Sequence, residues 1–155
     1  AHWQHIYGYG KTIGSLKVTP STATFEKAEE APSVTYRIYA KTAGKYEMEL
    51  FTAPNNPVVY QGKMCVAYKV NNAETEELNT IPNEGFVPWL SHSWERGVLD
   101  QIHKAACTVE LQEGENEVTI FALDPAVVLE KIVFTKEGCE KKKSYLGPVE
   151  SYRVG

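Results

Sequence analysis

The chain has 155 residues, 43% of them apolar, 23% charged and 11% aromatic, with a formal net charge of −4. That length and composition suit one globular domain spanning residues 1–155 with one core. The acidic balance argues against a nucleic-acid partner, which needs a clustered basic face, and no apolar run approaches the ~18 residues of a membrane span. The one basic run, Lys141 to Lys143, reads as a solvated tail segment. The chain opens on Ala1-His2-Trp3 with neither Met nor a signal peptide, so it is expected to be cut from a larger polypeptide.

In chain order, short strands are expected at "WQHIY" and "SLKV". "SVTYRIYA" then alternates, with Val34, Tyr36, Ile38 and Ala40 on one face and Thr35, Arg37 and Tyr39 on the other. "KYEMELFT" sets Tyr46, Met48 and Leu50 opposite Glu47 and Glu49. The link "KTAGK" carries Gly44, a turn signal, and predicts a hairpin between these two strands. "MCVAYKV" places Met64, Val66, Tyr68 and Val70 on one face, and "EELNTI" follows a turn. Only residues 94–106 have helical character, and Gly97 inside them limits it to one or two turns. "CTVELQ", the turn "EGEN", "EVTIFAL" and "VVLEKIVF" complete eight or nine short strands. Strands punctuated by turns in this way predict an all-β antiparallel sandwich or barrel rather than a βαβ fold. Two long connections, 52–63 and 81–94, are candidates for binding or interface loops.

Catalytic motifs are missing from the sequence. His2 and His5 fall on opposite faces of a strand, no HExxH or GxSxG occurs, and "GYGKTIG" lacks phosphate-loop spacing. Cys65, Cys107 and Cys139 have no CxxC spacing, and at most one disulfide can form among them. No cofactor is implied. For calcium, the candidates near turns are Glu26, Asn116, Asp124 and Glu130, against the commoner reading as turn formers and surface acids. Binding fits the residue types better. Sugar rings stack their C–H faces on aromatic side chains, while their hydroxyls need planar polar partners. The first long loop supplies Asn55, Asn56, Tyr60 and Gln61; the second supplies Trp89, His92 and Trp94, with Arg96 just beyond. Arg96 has the geometry to take a sugar carboxylate in a bidentate pair. Trp94 precedes Val98 and Leu99 and reads as a packing anchor, whereas Trp89 follows Pro88 inside a loop and is the better ligand platform.

From Ser93 onward, "SWERGVLDQIHKAACTVELQEGENEVTIFALDPAVVLEKIVF" resembles the C-terminal domain of bacterial glycoside hydrolase family 115 enzymes. That family's pattern is a Trp, a "VL-N" segment, a strand, a Gly turn and a strand ending "ALDPGVVLDKI". "SYLGPVES" is similar to its closing "SYLGPPES", and the opening and the "APNNP" stretch also fit. The resemblance covers nearly the whole chain. It implies a β-sandwich of the galactose-binding, carbohydrate-binding-module type, attached to an upstream catalytic domain of an α-glucuronidase. It also implies plant polysaccharides such as xylan bearing glucuronic acid as ligands, an extracellular or periplasmic location, and a part in assembling a homodimer. The chain departs from the pattern at Ala126, where the family has Gly, at Val149, where it has Pro, and at Asp100-Gln101 near the family's Asn. The two resulting expectations are a carbohydrate-binding module and a structural module packed on the catalytic domain or a partner subunit.

Overall fold

The computed structural model describes residues 1–58, 63–81, 90, 92–141, 144 and 147–152. Among them are nine strands: β1 (His2–Tyr7), β2 (Gly14–Thr19), β3 (Ser33–Ala40), β4 (Gly44–Thr52), β5 (Cys65–Val70), β6 (Glu76–Asn79), β7 (His103–Leu111), β8 (Gly114–Ala122) and β9 (Val128–Lys136). One helix, α1 (His92–Asp100), precedes β7. The strands form an antiparallel sandwich, with β1-β2-β9-β4-β7 in one sheet and β3-β8-β5-β6 in the other.

The period-two faces are as expected. Met48, Leu50, Met64, Val66, Val118 and Ile120 are almost fully buried between the sheets, while Thr35, Arg37 and Tyr39 face outward. Alternation decides which face is buried because successive strand side chains point to opposite sides.

The predicted β3–β4 hairpin does not form. Ala40 pairs with Gly114 of β8, whereas Gly44 pairs with Leu111 of β7, so the short link 41–43 crosses from one sheet to the other. Gly44 lies at φ 135°, a value that glycine takes without strain. The 112–113 link crosses in the same way at the same end. There Asn116, expected as a calcium candidate, serves as a clasp. Its Oδ1 accepts from the Gln112 backbone and from Asn71 Nδ2 (2.9 Å each), and its Nδ2 donates to the carbonyls of Gln112 (2.9 Å) and Gly114 (3.1 Å). Its amide is spent on the corner.

The reading of Lys141 as a solvated tail residue is also corrected. A second, smaller core of Phe51, Ile102 and Val133 lies on the outer face of the five-stranded sheet. The C-terminal segment crosses it, with Gly147 so close to the Phe51 ring that an added Cβ would lie 3.1 Å away. Lys141 pairs with Glu47 and Glu49 of β4, and Lys131 Nζ donates to the Pro148 carbonyl at 2.6 Å. Segment and sheet are thus joined by charge as well as contact. Lys142 and Lys143 lie outside the described residues.

Candidate loop-end site

The strand directions bring both long connections to one end of the sandwich. β4 finishes at Thr52 beside His103, the first residue of β7, and β5 begins at Cys65 beside Asn79, the last of β6. β8 ends and β9 begins at the same end, since Ala122 pairs with Val66 and Leu129 with Thr52. Segments 53–64, 80–102 and 123–127 therefore leave from neighbouring strand ends.

Hydrogen bonds tie the described parts of these segments together. Asn55 Nδ2 donates to the Ala126 carbonyl at 2.6 Å, and the Asn55 carbonyl accepts the Trp94 indole N–H at 3.3 Å. Asp124 Oδ2 accepts the Cys65 backbone N–H at 2.7 Å, and Thr80 Oγ1 donates to the Met64 carbonyl at 2.7 Å. Asp124 is therefore a loop brace. Of the remaining calcium candidates, Glu26 is exposed. Glu130 is 9% exposed beneath the 8–13 loop, where its Oε2 accepts the Lys11 backbone N–H at 3.3 Å. Burial pushes the Glu130 carboxyl above its ordinary pKa. Among the described residues, no group of three or more His, Cys, Asp or Glu side chains is placed to hold a metal ion.

Helix α1 shows where sequence reasoning ran short. It starts at His92, inside the segment read as loop, and stops at Asp100, while 103–106 belong to β7. The stop is a Schellman cap: Ile102 N–H donates to Gly97 O (2.9 Å), Gln101 N–H donates to Val98 O (3.1 Å), and Gln101 lies at φ 57°. A left-handed residue here favours Gly or Asn, and Gln hides the signal.

Among the sequence-predicted site residues, His92 and Arg96 lie one turn apart on α1, both exposed. His92 Nδ1 is 3.2 Å from Glu95 Oε2, and Arg96 Nε is 3.2 Å from Asp100 Oδ2. A ligand carboxylate would compete with Asp100 for the guanidinium. Asn56 is exposed, next to the Asn55 that anchors to Trp94. Trp94 is half-buried against the main core, so it is the packing anchor it was expected to be. Trp89, Tyr60 and Gln61 lie outside the described residues. Residues missed from sequence are Gly97 and His103. The His103 ring sits against Gly97, and its Nε2 is 3.2 Å from the Trp94 carbonyl. Gly97 inside the helical stretch is the one sequence signal, since it permits a close approach without naming its partner.

Cys65, Cys107 and Cys139 are free thiols. Burial, aided by the nearby Asp124 carboxylate, pushes Cys65 up to about 11, so it stays a protonated, unreactive thiol at neutral pH.

The sequence model of the glycosyl hydrolase family 115 C-terminal domain matches residues 1–150. The chain belongs to that family. Its structure is similar to part of a family GH115 4-O-methyl-α-glucuronidase with specificity for decorated arabinogalactans (18% identity, TM-score 0.65), covering 86% of this chain and 16% of that one. The GH115 C-terminal domain is also similar to a family 35 carbohydrate-binding module from Clostridium thermocellum (14% identity, TM-score 0.58), covering 85% of this chain and 86% of the module. A Podospora anserina GH26-CBM35 β-(1,4)-mannanase shares the fold over 89% of this chain and 25% of that one (17% identity, TM-score 0.58). None of the curated proteins matches.

One turn at this end of the sandwich is locally strained. Ala126 stands at φ 69° in the turn after Pro125, a conformation that costs a residue with a Cβ ~1 kcal/mol or more. A glycine, as in the pattern this chain resembles, would adopt it freely. Ala126→Gly is expected to raise stability by about 0.5 kcal/mol, with Tm rising by roughly 1–2 °C. A fall in Tm in a calorimetric scan would show that the methyl packs better than it strains.

Proposed function

We propose that this GH115 C-terminal domain is a non-catalytic carbohydrate-binding module of an α-glucuronidase-like enzyme. Its loop end would hold the parent enzyme on a glucuronidated plant polysaccharide outside the cytoplasm. The observation that carries this reading is the convergence of both long loops at one sandwich end. Their sequences bear Asn56, Tyr60, Gln61 and Trp89, with His92 and Arg96 on the adjoining helix. The similarity to family 35 modules supports it through the fold.

Calorimetry and affinity electrophoresis against glucuronoxylan, decorated arabinogalactan and free glucuronic acid test the reading. Binding to at least one is expected, and Trp89→Ala is expected to abolish it while shifting Tm by less than about 1 °C. No binding to any of the three, with concentration-dependent dimerisation, would sink it. A large loss of stability in Trp89→Ala would instead assign that ring to the core.

One observation favours the structural reading. Leu90 (72% exposed), Val98 (40%) and Leu99 (77%) lie on or beside α1. Exposed apolar side chains suit packing on an upstream catalytic domain or a second subunit.

A further inference from the structure

We propose that His103 is a positioning residue that seats α1 on β7 while its ring is neutral and unseats it on taking up a proton. The loop end is then acid-sensitive. The inference deepens the loop-end reading and rests on it for the consequence to glycan binding.

The geometry is specific to an imidazole. His103 is 4% exposed, and its ring fills the notch left by Gly97, where an added Cβ would lie 1.8 Å from Cδ2 and 2.1 Å from Nε2. Nε2–H donates to the Trp94 carbonyl at 3.2 Å, which leaves the lone pair on Nδ1. The ring also meets the Trp94 indole edge-on, with centroids 6.1 Å apart. A proton on Nδ1 puts a full charge into this notch, and a buried charge without a counter-ion is costly.

The charged groups on the surrounding elements are engaged elsewhere or exposed, Lys45 of β4 and Glu110 of β7 being among the exposed ones. On α1, His92 pairs with Glu95 and Arg96 with Asp100, at exposed positions. On β7, Lys104 lies over the Phe51 ring on the outer face. On β4, Glu47 and Glu49 face Lys141, and on β6, Glu76 accepts the Tyr68 hydroxyl, while Glu77 is exposed. Burial accordingly holds His103 below its ordinary pKa of 6.5, against a smaller upward pull from the Trp94 carbonyl. With the folded value depressed, the stabilisation is full above 6.5 and is lost as pH falls through the folded value.

The test is amide hydrogen exchange on the intact chain between pH 7.5 and 5, corrected for intrinsic exchange, with NMR titration of the His103 ring. Protection of α1 amides is expected to fall by up to about tenfold for each pH unit between 6.5 and the folded value and to level off below it, while β8 stays protected. His103→Gln keeps a donor for the Trp94 carbonyl but cannot titrate, so its α1 protection should be flat with pH. Flat α1 protection in the unmodified protein overturns the proposal, as does His103 titrating at 6.5 or above. These wild-type readings decide the matter even if the variant does not fold. Glycan affinity over the same pH range separates the two claims. If α1 unseats while affinity is unchanged, positioning by His103 stands and the loop-end reading fails.

Discussion

Asn116→Ala is expected to lower the unfolding free energy by about 3 kcal/mol, the sum of several net hydrogen bonds of roughly 1 kcal/mol each. Asn116 is 1% exposed, and its side chain makes four hydrogen bonds that hold Gln112, Gly114 and Asn71. Alanine leaves those backbone groups at a crowded corner where water enters poorly. Asn71, at φ 52°, also loses one of the contacts that keep it left-handed, although its Oδ1 still accepts the Glu117 N–H at 2.9 Å. Asn116→Asp should be about as damaging. It keeps the acceptor but turns an anionic oxygen toward the Gln112 and Gly114 carbonyls. Urea unfolding monitored by tryptophan fluorescence gives the numbers, provided the m-value is unchanged. A loss below about 1 kcal/mol would mean that water replaces the amide and the corner is held by the strands alone. Added calcium should restore neither variant.

The way this corner went unread shows what alternation in a sequence encodes. The buried faces of β3 and β4 could be read directly, because Tyr36 and Ile38, like Met48 and Leu50, must point one way. The strands' partners could not. A short Gly-containing link is compatible with a hairpin or with a crossing between sheets, and the choice depends on β7 and β8, some 70 residues away. Helix α1 failed at its boundaries for a local reason, since Gln101 occupies a left-handed cap that Gly or Asn would have advertised. Of the candidate site, the anchoring role of Trp94 was legible, because its place before Val98 and Leu99 marks a packing position. That the strand ends bring the two long connections to one end was not written in either loop. The pairing of His92 with Glu95 and of Arg96 with Asp100 was available from spacing alone once the helix was admitted. His103 could not be found from sequence, because its role exists only where β7 passes beneath Gly97.

Gly97→Ala separates that seating from ordinary helix propensity, because the two predict opposite signs. In an exposed helix interior this change stabilises by about 1 kcal/mol. Here the new methyl would fall on Cδ2 and Nε2 of a buried ring, so either the ring leaves its notch or the helix lifts from β7. Both routes break the bond to the Trp94 carbonyl and strain the link from the Trp94 indole to Asn55. We expect a net loss of about 2 kcal/mol, the propensity gain being outweighed by overpacking. In a His103→Ala background the notch is empty. There Gly97→Ala should be neutral or stabilising by up to about 1 kcal/mol, an interaction energy of roughly 3 kcal/mol between the two positions. Four proteins measured by urea unfolding complete the cycle. If Gly97→Ala stabilises the parent chain, the ring moves aside freely and α1 is not seated on His103. If both backgrounds lose equally, the cost lies in the helix itself. Only the sign reversal places the control of α1, and of the His92 and Arg96 side chains it carries, in the contact between a missing Cβ and an imidazole.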